Sequence, residues 1–192
     1  MNEALTEEQE LLLAELDAYH AVDANEEEHR RTIRAQVHAT PLWWHRDTLP
    51  GHVTASAFVV TPRLDTLLLH HHRKLDRWLQ FGGHDEGERH PAKTVLREVA
   101  EESGLQQFDF LGAPTFFDLD VHPIPAHGAM PEHLHLDVRF LMVASAEQEL
   151  NPGTGESELL RWFPLEEAEE KLGEEGGSRV CRKILSLQRE IG

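Results

Sequence analysis

The run from Trp78 to Leu105, WLQFGGHDEGERHPAKTVLREVAEESGL, decides how the rest of the chain is read. Its second half has the grammar of a helix. Pro91 suits a first turn, where its missing N–H costs nothing. Ala92, Val95, Leu96 and Val99 recur at i, i+3, i+4 and i+7, which predicts one buried stripe. Gly104 suits the left-handed residue that closes a helix. Glu98, Glu101 and Glu102 then share a face beside that stripe. Like charges at such spacing cost a helix ~0.2–0.5 kcal/mol per pair in water. The face is either solvated, as in many acidic proteins, or a set of hard oxygen ligands for a divalent cation that removes the repulsion.

The neighbours of the three carboxylates favour the second reading. Gly82-Gly83 precede the helix, Arg97 adjoins the first carboxylate, and Gly104-Leu105 close the segment. In this order the residues resemble the Nudix box, the signature of hydrolases acting on nucleoside diphosphates linked to another moiety. Counted from Gly83, Arg97-Glu98-Val99, Glu101-Glu102 and Gly104-Leu105 all fall in register with the family pattern. The early Glu of that pattern falls on Arg89, and Glu88 lies one residue short. The match therefore does not carry the family's pairing of that Glu with the box arginine, here Arg97.

The resemblance implies an α/β fold, the Nudix-type α/β/α sandwich with a mixed sheet, over residues 50–192. It implies Mg²⁺ or Mn²⁺ held by Glu98, Glu101 and Glu102, with the carbonyl of Gly83. It implies a metal-dependent pyrophosphohydrolase, in which water attacks phosphorus of a nucleoside diphosphate linked to another moiety or a related diphosphate. Bound cations neutralise the diphosphate and lower the pKa of an attacking water, which a carboxylate then orients or deprotonates. Glu101 or Glu98 ranks first for that task, in a catalytic group with Arg97. Glu156 and Glu158, ahead of a short strand near Leu160–Phe163, are later-loop candidates.

Histidine supplies a second constellation. His84 directly follows the double glycine, and His133 and His135 occupy alternate positions of a predicted strand. Imidazoles so spaced can reach one cation, or line a cleft and hydrogen-bond substrate or water. Isopentenyl diphosphate isomerase, a relative in the same fold, has Cys-Gly-His at the corresponding place, with that His binding metal. Here Gly82 stands at the Cys position, so the isomerase chemistry lacks its cysteine. His70-His71-His72-Arg73-Lys74, extended by Arg77, is the most basic stretch; His72, Arg73 and Arg77 are candidates for substrate phosphates, or form an ordinary exposed strand end.

The remaining chain fits this frame. Its 192 residues suffice for one domain with a full core and an appendage. We divide it into a helical N-terminal extension, 1–49, and a hydrolase domain, 50–192. Thr6 with Gln9 makes a capping box ahead of Leu12, Leu13 and Leu16. A second helix starts near Asp23 or Asn25, with Glu26, Glu27 and Glu28 at its positive end, and runs to about His38. Trp43 and Trp44 read as packing anchors for these helices, with stacking on a purine as the alternative. Strands are expected at 53–60, from Leu67, and from Asp109 to Val121, ended by Pro123 and Pro125. Leu134, Leu136, Val138, Phe140 and Met142 alternate with His133, His135, Asp137 and Arg139, so two long strands paired as a hairpin would share a polar face. A helix starting at Pro164 and a last one from Ser178 to Ile191, with Val180, Ile184, Leu187 and Ile191 as its stripe, complete the reading.

Composition excludes several classes. A net charge of −17 argues against general nucleic-acid binding, which needs a basic footprint. It also means that cations and a local basic patch must invert the field around an anionic diphosphate. The absence of long apolar runs and of a signal-peptide pattern predicts no membrane segment. The single Cys181 excludes an internal disulfide framework and fits a reducing cytoplasm. A homodimer is compatible with that class. Two function classes follow: the hydrolase, and a non-catalytic Nudix-like ligand sensor whose N-terminal helices signal to a partner. An intact REVAEE favours the hydrolase, and an isomerase-like reaction stands third.

Overall fold

Side-chain periodicity accounts for most of the elements in the computed structural model, which describes residues 4–151 and 157–191. The chain runs α1 (Glu7–Ala18), α2 (Ala24–Ala39), β1 (Gly51–Val60), β2 (Thr66–His72), β3 (Arg77–Leu79), β4 (Phe81–His84), α3 (Pro91–Ser103), β5 (Phe108–Phe110), β6 (Asp118–Ile124), β7 (His133–Ala144), β8 (Ser157–Pro164), α4 (Leu165–Leu172) and α5 (Glu175–Ile191). The strands form one sheet with the path β3-β2-β1-β7-β5; β4 also pairs with β1, β6 with β7 and β8 with β2. With helices flanking this mixed sheet, the fold is the expected α/β/α sandwich preceded by N-terminal helices.

The described residues pack as two compact units. The first takes the chain up to Ala55, with Gly83–Thr94 and Thr115–Arg139. In it, Thr6 and Gln9 form the capping box at the start of α1, and Leu12, Leu13 and Leu16 are buried. The Gln9 side-chain amide donates to the Val37 carbonyl at 2.7 Å, tying α1 to α2. Glu26, expected on an acidic helix start, is fully buried. Its carboxylate accepts from Tyr19 Oη, from the Val22 N–H and from the Leu119 N–H, which joins α2 to β6. A buried carboxylate needs such a complete set of donors. Trp43 is buried, in keeping with an anchor, while Trp44 is half-buried with the Arg89 guanidinium 5.2 Å from its ring centre.

The second unit comprises Ser56–Gly82, Val95–Pro114 and Phe140 to the C-terminus. Here β2 pairs antiparallel with β8 along Thr66–His72 and with β3 at His70–His72. Leu67, Leu68 and Leu69 are buried, as a central strand requires. Helix α5 buries Val180, Cys181 and Ile184. Burial pushes the Cys181 thiol up to about 12, which fits an inert cysteine.

Several sequence expectations are corrected. Leu96 faces solvent at 37% exposure, so the buried stripe of α3 is Ala92, Val95 and Val99, joined by Thr94 and Ser103. The single strand expected from Asp109 to Val121 is two, β5 and β6, interrupted at residues 111–117. Pro123 lies within β6 and Pro125 beyond it; β6 lies off the main path of the sheet, where a missing N–H is tolerated. Helix α5 begins at Glu175, and Ile191 is exposed rather than part of its stripe.

Candidate functional site

Helix α3 places the box carboxylates as its periodicity requires, on one face, but gives them different surroundings. Arg97 lies between two of them: its Nη1 donates to Glu98 Oε1 at 2.9 Å and to Glu101 Oε2 at 3.3 Å. Glu98 and Glu102 are largely covered, with side chains 14% and 17% exposed, whereas Glu101 is 62% exposed. Glu102 is anchored from the sheet: the Gly82 N–H donates to its Oε2 at 3.1 Å, and His70 Nδ1 lies 3.8 Å from Oε1. Gly104, at φ +71°, ends the helix where a Cβ would stand 2.7 Å from the Asn151 carbonyl oxygen. That glycine holds the end of α3 against the chain at Asn151, whose N–H donates to the Ser103 carbonyl at 3.0 Å.

The basic stretch builds the turn from β2 to β3. The Leu75 N–H donates to His72 Nδ1 at 3.2 Å, and Asp76 adopts φ +51°. Arg73 and Lys74 are exposed at the tip. Arg77 is engaged at the end of α4, donating to Glu174 Oε1 at 2.6 Å and to the Leu172 carbonyl at 3.2 Å. The side chain of Glu158 and all of Glu156 lie outside the described residues. At the early-Glu position Arg89 sits at φ +51°, 3.9 Å from Glu8, and Glu88 accepts from the Glu86 N–H at 2.7 Å.

Among the described residues, the side chains that converge as metal ligands are histidines. One nitrogen each of His52, His133 and His135 lie within 4.8 Å of one another. His84 joins them, its Nε2 3.1 Å from His52 Nε2. Burial, then repulsion from neighbouring imidazoles, holds His52 down to about 4 and His135 down to about 2, so both are neutral at pH 7. The sequence reading found His84, His133 and His135 and missed His52. The signal was present: His52-Val53-Thr54-Ala55-Ser56 alternates polar and apolar, and β1 begins two residues earlier than expected.

Beside this cluster β6 and β7 share the polar face their alternation predicted, with Asp118, Asp120, Asp137 and Arg139 buried in it. In antiparallel register His122 opposes His135, Asp120 opposes Asp137 and Asp118 opposes Arg139. Arg139 donates to Asp137 at 2.8 Å, Asp120 at 2.9 Å and Asp118 at 3.3 Å. Thr54 Oγ1 donates to Asp137 at 3.1 Å, and Asp120 Oδ2 lies 3.0 Å from His122 Nδ1. Burial disfavours charge throughout; even so, the Asp120 hydrogen bond and the charges of Asp137 and Asp120 raise the His122 pKa, and Asp120 itself is held well below the usual carboxylate range.

Fold and box helix together define an α/β/α sandwich that carries an acidic helix following a double glycine. The NUDIX domain model matches residues 50–183, more than half of the chain, and the protein belongs to the NUDIX family. A hydrolase of that family from Clostridium perfringens is similar at 26% identity and TM-score 0.53, over 71% of this chain and 97% of the other. The Ap4A hydrolase of C. elegans (14% identity, TM-score 0.53) matches 71% of this chain and 98% of its own. The dihydroneopterin triphosphate pyrophosphohydrolase of E. coli (13% identity, TM-score 0.54) matches 70% of this chain and 95% of its own. At such low identity the last two show shared fold alone. No curated protein sequence matches. Among the described residues no helix is long and apolar enough to cross a membrane.

Proposed function

We propose that this protein is a divalent-cation-dependent pyrophosphohydrolase that cleaves a diphosphate, of the kind in which a nucleoside diphosphate is linked to another moiety. The observation that carries this reading is the face of α3, where Arg97, Glu98, Glu101 and Glu102 stand in family register with Glu102 fastened to the Gly82 N–H at 3.1 Å. Three carboxylates on one helical face are oxygen donors that suit Mg²⁺ or Mn²⁺. A cation bound there supplies charge neutralisation at the diphosphate and a more acidic attacking water. Glu98 and Glu102, covered and hydrogen-bonded, are the ligands; Gly83 adds its carbonyl by motif position. Glu101 is exposed enough to meet and orient water, and Arg97 keeps it and Glu98 apart in charge by donating to both. His72 and Arg73, at the β2–β3 turn, are proposed to meet substrate phosphates, with Arg77 supporting the turn through Glu174. Glu158 stays a second candidate for the base. Residues 1–49 are read as an extension to a hydrolase domain at 50–192, a division supported by the family match beginning at residue 50.

The test is a Mg²⁺-dependent screen against nucleotide sugars, dinucleoside polyphosphates, ADP-ribose and non-nucleotide diphosphates, reading phosphate after phosphatase coupling. Glu102→Gln keeps an acceptor for the Gly82 N–H and removes the charge. Turnover should fall by orders of magnitude with an unchanged circular dichroism spectrum. Undiminished hydrolysis in that variant would remove the metal assignment.

A further inference from the structure

We infer that His52, His84, His133 and His135 form a four-imidazole site for a borderline transition-metal ion of the Zn²⁺ class, chemically distinct from the carboxylate site on α3. Three strands bring them together: His52 comes from β1, His84 from the end of β4, and His133 and His135 from alternate positions of β7. Ring centres are 5.0 Å apart for His52–His84, 5.1 Å for His52–His133, 5.1 Å for His52–His135 and 4.9 Å for His84–His135. His52 and His133 are buried and the other two are half-buried.

The distances fit a shared ion. Two nitrogens bound tetrahedrally at ~2.0–2.1 Å stand roughly 3.3 Å apart. His52 Nε2 and His84 Nε2 are 3.1 Å apart, and one nitrogen each of His52, His133 and His135 lie within 4.8 Å of one another. Tautomer is fixed where it matters: His133 Nδ1 donates to the Pro131 carbonyl at 2.9 Å, which leaves the Nε2 lone pair for a metal. A ligating histidine is commonly held in this way. His122, hydrogen-bonded to Asp120, packs edge-on beside His135 with ring centres 5.6 Å apart.

The donor set decides the ion. The converging side chains are imidazoles, nitrogen donors, whereas Mg²⁺ takes oxygen. Neutral imidazoles suit Zn²⁺, Co²⁺, Ni²⁺ and Cu²⁺. Four imidazoles also fill a tetrahedral shell, so the geometry is that of a closed, structural centre rather than one with an open position.

The experiment uses the full chain without a polyhistidine tag. It is purified in excess Mg²⁺, and bound metals are measured by mass spectrometry. One equivalent of Zn²⁺ or a like ion per chain, retained against Mg²⁺, is expected. The Co²⁺-loaded protein should show visible ligand-field bands of tetrahedral intensity. The His52→Gln/His135→Gln double variant should lose that equivalent, whereas Glu102→Gln should keep it; the second variant separates this site from the proposed hydrolytic one. Failure to bind Zn²⁺ or Co²⁺, displacement by Mg²⁺, or octahedral Co²⁺ bands would each overturn the inference, and so would full retention by the double variant. Should the double variant not fold, the wild-type cobalt spectrum alone decides.

Discussion

Replacing Arg139 by Met tests whether the buried polar face of β6 and β7 is a stabilising element or merely tolerated. Arg139 is 5% exposed and meets carboxylates of Asp118, Asp120 and Asp137 that are 0%, 12% and 5% exposed. Met preserves apolar length and removes the guanidinium that donates to all three acids. Breaking a buried pair by deleting one partner costs about 3–5 kcal/mol, because the other charge stays desolvated. The three contacts do not triple that figure, since carboxylates can take up protons instead of remaining charged. Against a typical total stability of ~5–15 kcal/mol, the loss is large. At roughly 2–4 °C per kcal/mol for a chain of this size, the melting temperature should fall by about 6–20 °C.

The pH dependence adds a sign that packing alone would not produce. In the wild type the folded pKa of Asp120 is lowered by His122 and Arg139 against the opposing effect of burial. Its contribution is therefore present above the unfolded carboxylate pKa and lost as pH falls towards the folded value. In Arg139→Met the Asp120 carboxylate loses that cation and its pKa rises. The variant should then recover relative to wild type as pH falls to about 4. Urea unfolding followed by circular dichroism at several pH values measures this. A deficit under 1 kcal/mol at neutral pH, or one independent of pH, would refute the reasoning.

Two further predictions concern single positions. Gly104→Ala should destabilise by at least about 1–2 kcal/mol from the left-handed backbone alone, with the close Asn151 carbonyl adding to it; a denaturation midpoint unchanged within error would contradict this. Glu27 is held down to about 2, first by its hydrogen bond with Arg30 and then by Arg31, so its contribution is present above pH 4.5 and lost as pH falls towards 2. Acid titration of Glu27→Gln should be shallower than wild type across that window, and identical curves would show that the ion pairs of α2 do not matter.

Much of this protein is legible in its sequence because local periodicity and capping are local physics. Thr6 and Gln9 reach each other within one turn, the 3.6-residue period of Val95 and Val99 faces a core, and the left-handed glycine at 104 ends α3 whatever lies beyond it. The family register of Arg97, Glu98, Glu101 and Glu102 is equally a matter of spacing along one helix. Other features depend on which distant residue arrives opposite. Leu96 completes an apolar stripe by spacing, yet it stands exposed. Glu26 reads as part of an acidic helix start, and it is buried, where Tyr19 and the Leu119 N–H meet it from residues near and far. His52 continues the polar–apolar alternation of β1, but that spacing does not say which residues it faces. It becomes part of a cluster only when β1, β4 and β7 bring it to His84, His133 and His135. The sequence by itself determined the helices, the strand alternation and the acidic helix of the box, since each is set by neighbours along the chain. Tertiary structure alone decided which polar side chains are enclosed and which imidazoles face one another, because desolvation and convergence are properties of elements packed together.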